Sequence, residues 1–401
     1  MGEYPRLEVD RAMKVQEVMM RAISGQLLWH EAAEILGVSC RTMRRWKGRY
    51  ERHGYDGLFD RRRQRPSPKR VPMETVREVL RLYREEYADF NAAHFHEKLV
   101  EVHGIRLSYE WVKKALQAAG LMRQVRRRGV HRKKRARRPM KGMMLFCDGS
   151  PHEWLPLLPG QKQDLIAFID DATSELYAAY LVDEESTETV MAGLREVVGR
   201  HGLFCSFYTD RGSHFFHTPK AGGAVDKTRP TQIGRALAQL GIEHIPSYSP
   251  QARGRMERQF GTWQGRLPQE LRKAGITTMA EANEFIREVF IPWHNRHLTV
   301  PAREPGSAFV PAGGADLDEI LSVQHERIIQ NDNTVALGNL KLQIGPAPWR
   351  VSFAKSRVKV CQHLDGRISV RLGPRILGWY DAKGIPIQAE PRKKTGKKQV
   401  A

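Results

Sequence analysis

Residues 143–150 read MMLFCDGS, and residues 205–215 read CSFYTDRGSHF. Each is a short apolar run that stops on an aspartate, Asp148 or Asp210, and passes at once into small or turn-forming residues. Side chains alternate along a strand, so Phe146 shares a face with Asp148 and Tyr208 with Asp210, while Leu145 and Cys147 take the opposite face. Two such strands side by side would bring both acids together at one end of a sheet. Cys147 is then a small core residue.

The flanking sequence supplies the rest of that sheet. Leu165–Ile169 (LIAFI) and Glu175–Val182 (ELYAAYLV) are short apolar runs separated by turn residues, the pattern of consecutive hairpin-linked strands. Ser186 can cap a helix in which Val190, Leu194, Val197 and Val198 recur on one face. A helix over Ile233–Leu240, a strand over Glu243–Pro246 and a long helix after Pro250 follow, with Ser249 as its cap. The order β-β-β-α-β-α-β-α predicts a mixed sheet with helices on its faces, an α/β domain. In the last helix Met256, Phe260, Trp263 and Leu267 form the buried stripe, and Arg253, Glu257 and Gln264 lie on a neighbouring face. Glu257 therefore emerges at the edge of the packed surface, a third acid able to reach toward the other two.

Of the 401 residues, 66 are Lys or Arg and 45 Asp or Glu, a net charge of +21. Residues 1–141 hold 34 basic against 17 acidic side chains, and the remaining 260 residues hold 32 against 28. The excess is thus concentrated at the amino-terminal side, and nucleic acid is the leading partner. Arg123–Arg138, with ten Arg or Lys in sixteen residues, reads as a solvated linker that neutralises phosphate, and Arg61–Pro72 as a second. Two carboxylates on a protein acting on phosphodiesters favour a bound cation over a shared proton. Oxygen ligands at an open site suit Mg²⁺ or Mn²⁺, with two ions expected. Cys40, Cys147, Cys205 and Cys361 are too scattered for a zinc knuckle or a disulfide framework. No membrane-length apolar run or secretory segment occurs, so a soluble cytoplasmic protein is the expectation.

Residues 10–53 predict three helices, the second over Leu28–Leu36, with a turn at Gly37 and a third helix capped by Ser39. Met43 and Trp46 face inward there, leaving Arg41, Arg44, Arg45 and Lys47 for DNA. The string AAEILGVSCRTMRRW resembles a bacterial helix-turn-helix. Residues 73–120 repeat the plan: Phe95, Leu99 and Val102 form a stripe, Gly104 breaks it, and Ser108 precedes a helix with Trp111, Val112, Ala115 and Leu116. Further candidate DNA contacts are Arg61, Arg62, Arg63, Arg126, Arg127, Arg128, Arg132, Lys133, Lys134, Arg211, Arg253, Arg255 and Arg258. Among competing acids, Asp170 and Asp171 read as hairpin-turn acceptors, and Asp183, Glu184 and Glu185 as helix-start acids. His152, His214 and His217 lie near the acids, where a surface or packing role is the commoner one.

FCDGS, YTDRGSHF and SPQARGRMERQF, in this order and followed by PWHNRHLTVPAREPGSAF, resemble the integrase-type catalytic core of bacterial insertion-sequence transposases, ISNCY-like ones most closely, and of retroviral integrases. The resemblance implies a ribonuclease H-like fold over about residues 140–310, with Asp148, Asp210 and Glu257 as the catalytic, metal-binding triad. It further implies a transposase that cuts the ends of its element and joins them to target DNA, working as a dimer or larger assembly. The 47-residue step from Asp210 to Glu257 is longer than in the retroviral relatives, and HTPKAGGAVDKTRPTQ accounts for it as an inserted loop that contacts DNA or a partner. Many relatives carry Lys or Arg where this chain has Gln264; Arg258 or Arg266 is the expected substitute.

Beyond the core, a helical connection over Leu317–His325 leads to short alternating runs at Leu340–Ile344, Val358–Val360 and Ile368–Leu372. A hairpin signal at Asp365-Gly366 and a plugging Trp379 predict a small β-barrel that contacts DNA or a partner through Arg350, Lys355, Arg357 and Lys359. The expected division is a helix-turn-helix domain (1–60), a linker (61–72), a second such domain (73–121), a linker (122–141), the catalytic core (142–312), the barrel (313–385) and a basic tail (386–401). Two other functional classes fit parts of the sequence. A DNA-binding regulator would need the helices alone, and a nuclease would cut without joining.

Overall fold

The computed structural model of the chain describes residues 5–60, 70–123, 136–158, 160–220, 223–226, 228–248 and 250–387, with side chains omitted at 250–253. It divides into two compact units, residues 1–82 and 83–401. Among the described residues no helix is long and apolar enough to cross a membrane. Cys40, Cys147, Cys205 and Cys361 are free thiols.

The first unit contains α1 (Arg6–Ile23), α2 (Trp29–Ile35) and α3 (Cys40–His53), with a 3₁₀ turn at Gly54–Leu58. Gly37, at φ +62°, makes the turn between α2 and α3, a backbone conformation that a side chain would strain. Ser39 caps α3, its hydroxyl accepting the Thr42 N–H. Val18, Met19, Ala22, Ala32, Ala33 and Met43 form the core, with Trp46 packed at its edge. The division between the units falls within α4 (Met73–Glu86).

The second unit begins with α5 (Ala92–Glu101) and α6 (Tyr109–Ala118), capped by Asn91 and Ser108. Phe95 and Leu99 are fully buried, but Val102 is 61% exposed and lies outside the expected stripe, because α5 ends before it. The sheet follows: β1 (Leu145–His152), β2 (Gln163–Asp170), β3 (Leu176–Val182), then α7 (Thr187–His201), β4 (Ser206–Thr209), α8 (Gln232–Gln239), β5 (Glu243–Pro246) and α9 (Pro250–Gln264). Its strand order is β3-β2-β1-β4-β5. β1, β2 and β3 are antiparallel, while β4 pairs parallel with both β1 and β5, so the sheet is mixed as expected. Ser186 caps α7 reciprocally with Thr189.

The pleat separates two cores. Leu145, Cys147, Ile166, Phe168 and Phe207 pack against Val190, Leu194 and Val197 of α7 and Ile233 and Leu237 of α8. Phe146, Leu165, Ala167 and Ile169 face Met256, Phe260 and Trp263 of α9, with Leu267 and Leu271 of α10 (Leu267–Lys273). The expected stripe is buried, although Leu267 belongs to the next helix. α11 (Met279–Phe285), a π-helical turn at Ile286–Phe290 and α12 (Ile291–His297) complete this layer.

α5 is fastened to α10 and α12 by polar contacts. Glu97 takes Arg266 at 2.6 Å and the Trp293 indole N–H at 2.8 Å. Glu270 takes His94 and Lys98, both at 2.7 Å, and the Asn91 amide donates to the Gly265 carbonyl at 2.8 Å. Just before α5, Asp89 pairs with Arg272, and Glu86 at the end of α4 pairs with Lys273. Burial works against the Glu270 charge, but the His94 and Lys98 bonds outweigh it and bring its pKa down to about 2.

The expected carboxyl-terminal barrel is replaced by an open arrangement. α13 (Leu317–Ile320) is a single turn, and His325 lies in a strand rather than a helix. β6 (Val323–Ile328), β9 (Arg357–Gln362), β10 (Ile368–Leu372), β11 (Arg375–Tyr380) and β12 (Pro386–Ile387) form one antiparallel sheet, with β12 and β6 at its edges. β7 (Thr334–Leu337) and β8 (Leu340–Gln343) form a separate hairpin. Val335, Leu337 and Leu342 of the hairpin share a core with Val358, Val360, Ile368 and Val370 of the sheet. Two layers thus enclose the apolar side chains without closure, because the edge strand β12 is only two residues long. Trp379 stacks beside His363 and Arg367 and plugs nothing.

Candidate active site

In the parallel pair, Leu145 lies beside Phe207 and Phe146 beside Tyr208. Asp148 lies two residues further along β1, and Asp210 lies two residues past Tyr208, immediately after β4 ends at Thr209. Phe146 and Tyr208 touch edge-to-face at 5.1 Å in the core under α9, and Asp148, two residues past Phe146 in the same strand, shares its face. Asp148 is 8% exposed. Asp210 Oδ1 accepts the Gly212 N–H at 2.8 Å, turning the chain as it leaves the strand. Burial first, then the neighbouring carboxylates of Glu185, Asp148 and Asp210, push the Cys147 thiol well above its ordinary range. Negative charge therefore converges on this end of the sheet.

Glu257 is exposed on α9, next to the fully packed Met256. Two helical turns later on its face, the Gln264 amide donates to Ser150 Oγ at 3.2 Å. Ser150 is two residues past Asp148 on the same strand face. The helix face that carries Glu257 thus runs over the strand face that carries Asp148, about 10 Å along the helix from the Gln264 contact. Gln264 is a tether here rather than a free polar group. Arg266 does not stand in for the basic residue of the relatives, since its guanidinium is 7% exposed and bound to Glu97.

Glu185, read from sequence as a helix-start acid, and His214, read as a surface or packing residue near the acids, meet here. Glu185 Oε1 lies 3.2 Å from His214 Nε2. A methyl group added at Gly149 would sit 2.5 Å from Glu185 Oε2, so the glycine of FCDGS is what admits this carboxylate against β1. A carbon added at Gly212 would sit 3.0 Å from both Asp210 Oδ1 and His214 Cε1, which bounds their separation at twice that. No local pattern distinguished Glu185 from Asp183 and Glu184. Only the fold brings it to β1.

The competing acids are structural acceptors. Asp170 takes the N–H groups of Gly142 and Thr173, and burial raises its pKa despite them. Asp171 takes the Arg138 N–H and pairs with the Arg255 guanidinium. That contact turns Arg255 into the protein, away from the DNA-facing role expected of it. Arg41, Arg44 and Arg45 are exposed on α3, while Lys47 lies over the Trp29 ring near Glu51. Arg211 donates to the Gly223 carbonyl and stacks on Tyr248, bracing the inserted loop, and Arg258 binds back to the Gly254 carbonyl. Within that loop His217 and Asp226 form a backbone bridge. His152 packs beside Trp154. Arg61, Arg62, Arg63, Arg126, Arg127, Arg128, Arg132, Lys133, Lys134, the Ser249 cap and the Arg253 side chain lie outside the described residues.

Asp148 and Asp210 offer carboxylate oxygens, which suit a hard divalent cation. Asp148, Asp210 and Glu257 do not come together within 4.8 Å of one another; among the described residues, the one set of three whose ligand atoms all lie that close is Glu97, Glu101 and His297. There, however, Arg266 and Trp293 already hold Glu97.

Two family models match the chain: a helix-turn-helix domain over residues 16–67 and a homeodomain-like domain over residues 42–116. The y4bF protein of Sinorhizobium fredii, which carries a transposase name, is 31% identical over 365 residues, covering 90% of this chain and 79% of that protein. The transposase for insertion sequence IS1202 of Streptococcus pneumoniae is 28% identical over 306 residues, covering 67% of this chain and 65% of that protein. Among solved structures, the HTLV-2 integrase catalytic core in complex with magnesium matches at a TM-score of 0.30 and 13% identity, over 41% of this chain and 93% of that one. A simian T-cell lymphotropic virus intasome in complex with PP2A regulatory subunit B56 gamma matches at 0.32 and 14%, over 79% and 100%.

Proposed function

Because the chain belongs to the transposase family, we propose that it binds the ends of a mobile DNA element, cuts a strand there and joins it to target DNA at a site built from Asp148, Asp210 and Glu257. The observation that carries this reading is the parallel register of β1 and β4, in which Phe146 lies beside Tyr208, each two residues before one of the aspartates. Asp148 and Asp210 would hold divalent cations, Mg²⁺ or Mn²⁺, and Glu257 would complete the coordination from α9. When bound, the ions supply Lewis-acid activation of water and of a 3′-hydroxyl. The protein's own part is positional. The Ser150–Gln264 bond holds α9 against β1, the Asp210–Gly212 turn fixes one carboxylate oxygen, and the Glu185–His214 pair braces the sheet end from the other face.

The exposed arginines of α3 meet phosphates of duplex DNA, and the basic stretches flanking residues 73–121 add sequence-independent affinity. The chain divides functionally into the segments expected from its sequence, with an open two-layered β domain in place of the barrel. Joining two element ends calls for a dimer or larger assembly on DNA.

One assay tests the proposal: labelled element-end DNA, a target plasmid and Mg²⁺. The expected result is a joined product that is lost in Asp148→Asn, Asp210→Asn and Glu257→Gln, while DNA binding persists. Cutting without joining would reduce the protein to a nuclease. Binding with neither activity, or joining that survives all three substitutions, would overturn the assigned site.

A further inference from the structure

The contacts between α5 and the catalytic layer have a consequence for DNA. α6 packs on α5 through Val112 and Leu116, both fully buried, while Tyr109, Glu110 and Lys114 stay exposed and Lys113 lies over the Tyr109 ring. The homeodomain-like match extends across both helices. In a helix-turn-helix the second helix is the one that meets the groove. The preceding helix, α5, is held not by a greasy patch that could slide but by directional polar bonds. Asn91 grips the Gly265 carbonyl one residue beyond the end of α9, and Glu97 and Glu270 are locked between Arg266, His94 and Lys98. Apolar surfaces tolerate shifts of register, whereas a buried polar network is satisfied in one arrangement. α9 is the helix that bears Glu257.

We propose that α5 and α6 form a ruler fixed to the catalytic layer: duplex DNA seated on α6 is held at one offset from the acids, and the contacts of α10 with α5 and with the chain just before it set which phosphodiester is cut. This rests on the transposase reading of the acids. It adds that the cleavage position is stored in a protein–protein contact remote from both the acids and the DNA-reading face.

The test maps cut positions at single-nucleotide resolution on end-labelled element DNA. Glu86→Lys with Asp89→Lys turns two half-exposed attractive pairs, with Lys273 and Arg272, into repulsive ones without emptying a core site. The expected result is a spread of cuts over neighbouring phosphodiesters and a cutting rate lower by roughly ten- to a hundredfold on DNA-saturated protein, as misplacement on the ångström scale produces. Adding Arg272→Asp and Lys273→Glu should restore the single position. Glu270→Gln, read in the same assay, should spread the cuts without any surface charge reversal. Lys113→Ala with Lys114→Ala should instead weaken binding and leave the cut position alone. Cuts that stay at one position in both the repulsive variant and Glu270→Gln, while hydrogen exchange reports that α5 has loosened, would overturn the ruler. A wild-type protein that makes no cut would instead remove the transposase reading on which it rests.

Discussion

His294 shows how far one residue's chemistry is set by its neighbours. It is fully buried; its Nε2–H donates to the Ser174 carbonyl at 2.9 Å, and its Nδ1 accepts the Trp263 indole N–H at 3.1 Å. Both partners demand the neutral ring, because a proton on Nδ1 would face the indole donor. Burial lowers its pKa from 6.5 to about 4, with the Ser174 bond opposing only in part. As pH falls the unfolded chain therefore takes up the proton first. The stabilisation is full above about pH 6.5, declines below it and is gone by about pH 4, a change of about 3 kcal/mol. Urea melts across this range should show the decline, and His294→Gln should flatten part of it. Burial lowers His94, His201 and His363 in the same direction, so some slope will remain. A slope unaltered by His294→Gln would count against the neutral, buried ring. Nothing in PWHNRHLTV foretold this, since the partners come from Ser174 and from α9. Asp148 and Asp210, by contrast, were legible because alternation along a strand and a terminal acid are local properties.

Between elements, the contact that matters most for α9 is the Asp171–Arg255 pair. Asp171 is fully buried, and Arg255 reaches it from the helix that carries Glu257. Removing only the arginine takes an ion-pair contact away from a buried carboxylate, which costs about 3–5 kcal/mol. Arg255→Met should thus lower stability by that order in chemical denaturation. Combining it with Asp171→Asn should recover much of the loss, since the buried charge is then gone as well. Equal losses in the single and double variants would mean that the arginine stem, not the ion pair, holds α9. The sequence marked Arg255 as basic and near the site; which way it turns was decided by a carboxylate 84 residues away. The same limit explains the carboxyl-terminal sheet. Its alternating runs at Val358–Val360 and Ile368–Leu372 were readable as strands, but the pairing of β6 with β9 is non-local, and closure depends on edges that no single strand encodes.

At the scale of the molecule, the charge of +21 is unevenly placed, and its largest block, the ten Arg and Lys of Arg123–Arg138, is a matter of composition alone. Each phosphate such a block neutralises steepens the logarithmic salt dependence of binding by about 0.9. Replacing these ten residues with Gln should make duplex binding weaker and much less salt-dependent, measured as affinity against salt concentration, while preference for element-end sequence stays with the helices. An unchanged slope would show that the block does not touch DNA. Composition, strand alternation and helix stripes sufficed for the partner class, the mixed sheet, the helix-turn-helix regions and the strand position of Asp148, because each depends on residues a few positions apart. The Glu185–His214 pair beside β1, the inward turn of Arg255, the locking of α5 onto α10 and the open carboxyl-terminal sheet depend on which distant segments share a low-dielectric interior. There, partners are chosen by the mutual satisfaction of charge and hydrogen bonds, and that choice exists only once the chain has folded.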